Sequence, residues 1–157
     1  MKAVIQRVRD ASVSVEKRTT GSIKNGLLVY VGVAAGDSEK DADWTAEKIA
    51  NLRIFDDPDG RMNLSLLDLN ANGEEEREAA YGVLAVSQFT LLADARKGRR
   101  PSYDKAAEPE LAKSLYDYLT KKIRTYGLVC EEGVFRARMD VSYTNEGPVT
   151  ILLDTKE

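Results

Sequence analysis

Two short runs hold the residues best equipped to act on a ligand. Ser87-Gln88-Phe89-Thr90-Leu91 sets a hydroxyl, an amide, an aromatic ring and a second hydroxyl at the end of the apolar run that begins at Val83. Asn145-Glu146-Gly147-Pro148-Val149-Thr150 sets a residue without a Cβ beside one without an N–H, just before a final apolar run. Polar groups at the end of a buried strand must be paired locally or stand open to a ligand. Gly147 can take a positive φ or let another molecule approach closely. Pro148 fixes its own φ and biases Gly147 away from the helical region, and an X-Pro bond is the one place where a cis peptide is cheap. The second run reads either as an ordinary turn before a last strand or as a loop that presents backbone to a ligand.

The residue types that are missing narrow the chemistry. The chain has no histidine and one cysteine, Cys130. That excludes Ser-His-Asp and Cys-His pairs, histidine zinc ligands and imidazole acid–base work. Asp56-Asp57-Pro58-Asp59-Gly60 opens like half of a calcium loop, but Arg61 and Met62 break the ligand pattern, so calcium is rejected. No spaced acidic cluster stands out. Chemistry must come from backbone dipoles, hydroxyls, amides, Lys or Arg, or from the substrate itself. Backbone N–H groups near Phe89 could hold a carbonyl oxygen as it becomes negative. Thr90 has no visible activator as a nucleophile. Positioning an acyl ester whose own hydroxyl assists is more economical, and a pocket without chemistry stays open. A net charge of −3 gives no global pull on nucleic acid. Two basic clusters, Arg96-Lys97-Gly98-Arg99-Arg100 and Lys121-Lys122-Arg124, are solvated faces or phosphate sites.

The elements that must position these groups fit one domain, residues 1–157. A 43% hydrophobic and 31% charged composition argues for a packed globule over a disordered chain. The longest apolar run, Gly26 to Ala35, is about half of a membrane span. Gln6 and Arg7 deny the start a signal-peptide core, and the lone cysteine suits a reducing cytoplasm. Lys2 to Glu16 alternates as a strand, with a parity break between Ile5 and Val8 and an irregularity near Arg9-Asp10 that indicate a bulge or bend. Thr19 to Ile23 is a short strand, Asn25-Gly26 a turn, and Gly26 to Val33 a strand covered on both faces. A helix capped by Asp37 or Ser38 runs to about Leu52, with Ala42, Thr45 or Ala46, Ile49 and Leu52 inward. Arg61 to Leu66 forms a short strand, and Leu69 to Tyr81, with Glu74-Glu75-Glu76, an exposed loop. Val83 to Leu92 is a buried strand, and Leu92 to Lys105 a loop of functional length. A second helix starts at Glu108-Pro109, buries Leu111, Leu115, Tyr118 or Leu119, and Ile123, and ends at Gly127. Met139 to Tyr143 and Val149 to Leu153 are strands separated by the Gly-Pro run. About seven strands and two long helices make an antiparallel or mixed α+β domain.

The two opening runs resemble the signature motifs of the D-aminoacyl-tRNA deacylases (D-tyrosyl-tRNA deacylases). Gln6-Arg7-Val8, Arg61-Met62-Asn63-Leu64, Gly98-Arg99-Arg100-Pro101-Ser102-Tyr103 and Leu115-Tyr116-Asp117-Tyr118 match in the same order, over nearly the whole chain. The resemblance implies a compact β-barrel-like α+β domain that forms a homodimer with its sites at the interface. It implies hydrolysis of the ester of tRNA carrying a D-amino acid or glycine, with no cofactor, no metal and no membrane. The Gly147-Pro148 bond would be cis and enter the partner's pocket, where their carbonyls capture the amino group and leave an L side chain nowhere to go. Ser87, Gln88, Phe89 and Thr90 would line the pocket for the ester and terminal adenosine. The ribose 2′-hydroxyl of the tRNA would assist in place of a protein nucleophile. Arg7 would hold the Gly-Pro loop, supported by Asn145 and Thr150, while Arg99 and Arg100 would touch tRNA phosphates.

Two departures from the family pattern touch neither signature. Asn70 to Tyr81 is long and acidic, and Tyr103 stands where the family often has Phe. A non-catalytic aminoacyl-nucleotide or nucleic-acid binding protein is the alternative. Replication-associated relatives of the family carry an extra basic tail, and this chain stops at Lys156-Glu157 without one.

Overall fold

The structure, a computed structural model, describes residues 1–71 and 81–157. Strand β1 (Lys2–Val15) and strand β2 (Arg18–Gly32) form a long antiparallel hairpin. Helix α1 (Glu39–Asn51) follows, then strands β3 (Phe55–Asp56) and β4 (Met62–Leu64) and the short helix α2 (Leu66–Ala71). Strand β5 (Tyr81–Ser87), helix α3 (Pro109–Thr125), strand β6 (Val129–Glu132) and strand β7 (Asp140–Asp154) complete the domain. The main sheet has the order β6-β5-β2-β1-β7. β1 pairs antiparallel with both β2 and β7, whereas β5 runs parallel to β2 and to β6. The sheet is therefore mixed, in an α+β domain. Among the described residues no helix is long and apolar enough to cross a membrane.

The sheet is buried on both faces, as the unbroken apolar stretch of β2 requires. Ala3, Ile5, Leu27, Val29 and Val31 pack with Ala46, Ile49, Leu119 and Ile123 of the two long helices. Val8, Ala11, Val13, Leu28, Leu84 and Val86 form a second core on the other side, against Met139 and Val141. The parity break expected between Ile5 and Val8 is thus the point where β1 hands its apolar side chains from one core to the other. The bend near Arg9-Asp10 is present as well: Asp10 has φ 50°, and the register against β7 shifts between Arg9 and Ser12.

Both long helices start and stop as their sequences require. The Asp41 carboxylate accepts the Ser38 N–H at 2.8 Å and closes the α1 cap. Pro109 opens α3 where its missing donor costs nothing, and Gly127 follows its end at φ 78°. Leu111, expected inward, is instead exposed, because the buried stripe of α3 begins one turn later at Leu115 and Tyr116. The Tyr116 hydroxyl donates to the Ala85 carbonyl at 2.9 Å.

Four boundaries differ from the sequence expectation. Asn25-Gly26 makes no turn. β2 runs straight through it, because Gly26 sits opposite Gly82 in the parallel ladder at φ 139°. A Cβ on Gly26 would come within 1.9 Å of the Gly82 carbonyl oxygen. β5 stops at Ser87, and Phe89–Leu92 forms a single 3-10 turn in place of more strand. β7 is one strand carrying the Gly-Pro run inside it, not two strands around a turn. The start of the expected 69–81 loop belongs to α2, where Leu66 and Leu69 are buried, while residues 72–80, including Glu74-Glu75-Glu76, lie outside the described residues.

The Gly26–Gly82 contact gives a direct check. Gly26→Ala is expected to lower the unfolding free energy by more than about 3 kcal/mol, through backbone overlap and a disfavoured φ. Gly36→Ala, where nothing lies within 4 Å, is expected to change it by less than about 0.5 kcal/mol in the same denaturant titration.

Candidate active site

The first signature run is placed by the end of β5 and by a close approach to β2. The Gln88 N–H donates to the Val31 carbonyl at 2.7 Å, which ends the ladder and starts the 3-10 turn. The turn packs over Gly32, where a Cβ would meet the Leu92 side chain at 2.5 Å and the Gln88 carbonyl oxygen at 3.0 Å. Glycine at 32 therefore lets the turn sit down on the sheet. The N–H groups of Phe89 and Thr90 open the turn, so the turn itself offers them no acceptor. They are the backbone donors available to an incoming carbonyl oxygen. The Gln88 amide donates to the Thr90 hydroxyl, which fixes both side chains against each other.

Ser87, Gln88 and Phe89 line a cavity of about 450 Å³, a size that suits a small ligand. Its opposite wall is the 134–139 loop, with Phe135, Arg136 and Met139, and the stretch before α3. Thr90 lies beside this cavity, outside its lining, and Phe89 is 56% exposed at the rim. The ring of Phe135 stands 6.3 Å from that of Tyr116, and Arg136 adopts φ 64°. The sequence reading passed over residues 134–138. An aromatic ring between Val134 and two arginines was the available signal, since that composition suits stacking on a base.

The cavity lining holds no carboxylate and no thiol. Cys130 is buried elsewhere, and burial pushes its thiol up to about 12, so it stays protonated at neutral pH. Burial likewise pushes the Tyr30 hydroxyl up, with Tyr143 beside it. Among the described residues, what faces the cavity is dipoles, an arginine and apolar surface.

The second signature run takes its shape from a mismatch with β1. Gln6 pairs with Thr150 and Val8 with Asn145, so Arg7 alone stands opposite residues 146–149. The surplus residues bulge out, and Gly147 (φ 117°) and Pro148 are exposed, joined by a cis peptide bond. Arg7 shares the parity of Ala3 and Ile5 and so points into the helix-side core, where it is only 7% exposed. Its guanidinium donates to the Ile54 carbonyl at 2.9 Å, the Asp56 carboxylate at 3.3 Å and the Glu146 carbonyl at 3.4 Å. A Cβ on Gly147 would stand 3.1 Å from that guanidinium. At the base of the bulge the Thr150 hydroxyl accepts from Gln6 and from Asn145, each at 3.2 Å. Gln6 is a supporting residue that the sequence reading counted only as a motif match.

Within one chain, Gly147 and Pro148 do not line the cavity of Ser87, Gln88 and Phe89. Arg99 and Arg100 stand apart from it too, exposed on the 94–102 loop.

The sequence model of the family described as D-Tyr-tRNA(Tyr) deacylase matches residues 4–154. The chain belongs to that family. It is 54% identical over 157 residues to a protein of Koribacter versatilis (strain Ellin345) described as a D-aminoacyl-tRNA deacylase, covering 100% of this chain and 99% of the relative. A protein of Thermosipho africanus (strain TCF52B) with the same description gives the same identity and coverage. Among solved structures, the c-Myc DNA Unwinding Element Binding Protein superposes with a TM-score of 0.86 at 35% identity, covering 99% of both chains. A probable eukaryotic D-amino acid tRNA deacylase shares the fold, with a TM-score of 0.77 at 16% identity over 97% of both chains.

If Arg7 pins the bulge, Arg7→Ala should speed amide exchange at Glu146, Gly147 and Val149 by at least about tenfold. Arg9→Ala should leave it nearly unchanged, because among the described residues Arg9 pairs only with the half-exposed Glu146 carboxylate at 3.4 Å.

Proposed function

We propose that this chain hydrolyses the ester bond of D-aminoacyl-tRNA, releasing the free D-amino acid and tRNA. It also acts on glycyl-tRNA formed on a non-cognate tRNA. The observation that carries this reading is the match to full-length relatives described as D-aminoacyl-tRNA deacylases, 54% identical, with both signature runs intact. A cavity walled by Ser87, Gln88 and Phe89, whose lining among the described residues holds no carboxylate, thiol or imidazole to activate the Ser87 hydroxyl, supports the same reading.

The ester carbonyl oxygen is held by the N–H groups that open the 89–92 turn, where negative charge develops as water adds. Gln88 and Thr90 position the ester, and Ser87, Phe89 and the 134–139 loop hold the terminal adenosine. The tRNA's own 2′-hydroxyl assists the reaction, so the protein supplies orientation and a polarised carbonyl. The functional unit is a homodimer. Gly147 and Pro148 of one subunit cap the cavity of the other, and their carbonyls accept hydrogen bonds from the substrate's amino group. An L side chain would collide with that backbone, while a D side chain points to the open mouth. Selection works by exclusion, so glycine, with nothing to exclude, is accepted. Two features support the dimer: β7 is an edge strand with its outer side unpaired among the described residues, and it carries Leu152 74% exposed.

A second reading, nucleic-acid binding without turnover, is favoured by the description of one solved relative as a DNA-unwinding-element binding protein. It would give saturable binding and no product at high protein concentration.

A paired assay with D-tyrosyl-, L-tyrosyl- and glycyl-tRNA separates these readings. We expect release of D-tyrosine and glycine with the L-form spared by at least about a hundredfold. Gly147→Ala with Pro148→Ala should erase the discrimination. Equal turnover of both enantiomers by the native protein would sink the exclusion argument, and no turnover of any would leave only the binding reading.

A further inference from the structure

One surface feature has no part in the cavity or the bulge. Between the 3-10 turn and α3 the chain leaves the cavity wall and returns to it as a closed finger. Asp94 and Ser102 exchange both backbone hydrogen bonds, the Asp94 N–H donating at 2.8 Å and the Ser102 N–H at 2.9 Å. Gly98 turns the tip at φ 71°. The incoming stem follows directly from Leu92, and the outgoing stem is tied by the Ala35 N–H to the Lys105 carbonyl at 3.1 Å and by the Ala107 N–H to the Val33 carbonyl at 2.9 Å. Tyr103 at the base packs edge-on against Phe89, with ring centroids 5.0 Å apart. The finger is thus fixed at its base to a residue that lines the cavity.

Among the described residues three of its cations make no ion pair, whereas two of the three in the second basic cluster are paired. Residues 94–105 carry Arg96, Lys97, Arg99, Arg100 and Lys105 against Asp94 and Asp104, in a chain whose net charge is −3. The Asp94 carboxylate takes up Arg96. Lys97, Arg99 and Arg100 make no ion pair among the described residues and are exposed. In the other cluster Lys122 is held by Asp43 at 3.0 Å, and Arg124 by Glu132 and the Cys130 carbonyl. Four residues of extended chain reach at most about 14 Å, so the tip stands no farther than that from the neck beside the cavity. Arginine forks held at a fixed distance from an ester pocket suit phosphate oxygens.

We propose that the 94–102 finger grips the phosphate backbone of the tRNA behind its esterified terminal nucleotide, with Arg99 and Arg100 as the main contacts and Lys97 beside them. This rests on the deacylase reading for the identity of the ligand. Acidic residues outnumber basic ones over the rest of the chain, so the finger sets the direction from which the acceptor end approaches. Its contacts are to backbone and carry no base specificity, which suits an enzyme that selects the amino acid and accepts many tRNAs.

The test measures binding and chemistry separately. Uncharged tRNA is titrated against the native protein, Arg99→Ala/Arg100→Ala and Lys121→Ala across a salt series. The double variant should bind on the order of tenfold more weakly, and its slope of log affinity against log salt should be shallower by about 1.5, while Lys121→Ala matches the native protein. In deacylation, the double variant should raise KM for D-tyrosyl-tRNA on the order of tenfold at unchanged kcat. Its hydrolysis of D-tyrosyl-adenosine, which lacks the preceding phosphates, should match the native rate. An unchanged Kd and salt slope would overturn the proposal whether or not the protein is a deacylase. An equal loss on D-tyrosyl-adenosine would overturn it too, since the finger would then act through Phe89 and the cavity. Absence of turnover in the native protein would overturn the deacylase reading, with the tRNA titration still deciding whether the finger grips phosphate.

Discussion

The guanidinium of Arg7 is the constraint on which the rest of the site depends. It is buried at the rim of the helix-side core and could not remain there without partners, because a buried charge without hydrogen bonds costs several kcal/mol. The carbonyls of Ile54 and Glu146 and the carboxylate of Asp56 satisfy it. In doing so they tie the end of the α1 connection, β1 and the β7 bulge to one point. A strand that offers one residue against four would otherwise leave a floppy loop. Here the surplus backbone is held out as an exposed corner at Gly147 and Pro148, anchored through the Glu146 carbonyl. The proposed exclusion requires such anchoring, since a corner that could retreat by an ångström would admit an L side chain.

The chemistry proposed for the cavity is correspondingly spare. An aminoacyl ester is already activated, so the protein need only hold it, polarise its carbonyl and let the ribose hydroxyl assist. The donors come from the start of a 3-10 turn that Gly32 allows to sit close against β2. Their direction is set by backbone, and no ionisation in the lining has to be tuned. The thiol that could compete as a nucleophile, Cys130, is buried away from the cavity and kept protonated. The proposed division of labour, a backbone corner that judges shape and a backbone turn that polarises the ester, needs no imidazole and so suits a chain without histidine.

Much of this was legible in the sequence, and the failures have physical causes. Patterns with a strong period gave α1 and α3 nearly residue for residue, and the parity break after Ile5 marked the change of core in β1. Asn25-Gly26 misled because the same dipeptide serves a hairpin and a close strand crossing. Only the partner, Gly82, tells the two apart, and it lies far along the chain. The Gly-Pro run looked like a turn between two strands because local chemistry reports the bulge but not the ladder that continues past it. Ser87, Gln88 and Phe89 were marked by polar residues at a strand end, whereas Phe135 and Arg136 come to the same cavity through an irregular loop that has no period to read. Which cations of the two basic clusters are paired could not be seen either, since neutralisation of Lys122 and Arg124 depends on Asp43 and Glu132 across the fold.

The central claim is that a working site needs the turn of one subunit and the corner of another. Two impaired variants test it most directly, read as the rate on the D-ester minus the rate on the L-ester: Gln88→Ala/Thr90→Ala, which spoils the turn and with it turnover, and Gly147→Ala/Pro148→Ala, which spoils the corner and with it the discrimination. Each alone forms dimers with two damaged sites. Mixed and allowed to exchange subunits, they form heterodimers in which one site takes an intact turn from one subunit and an intact corner from the other. The account then expects recovery of about a quarter of the native chiral deacylation per subunit, since half the dimers are mixed and each holds one sound site. No recovery above the separate variants, with subunit exchange verified, would contradict it and place turn and corner in the same chain.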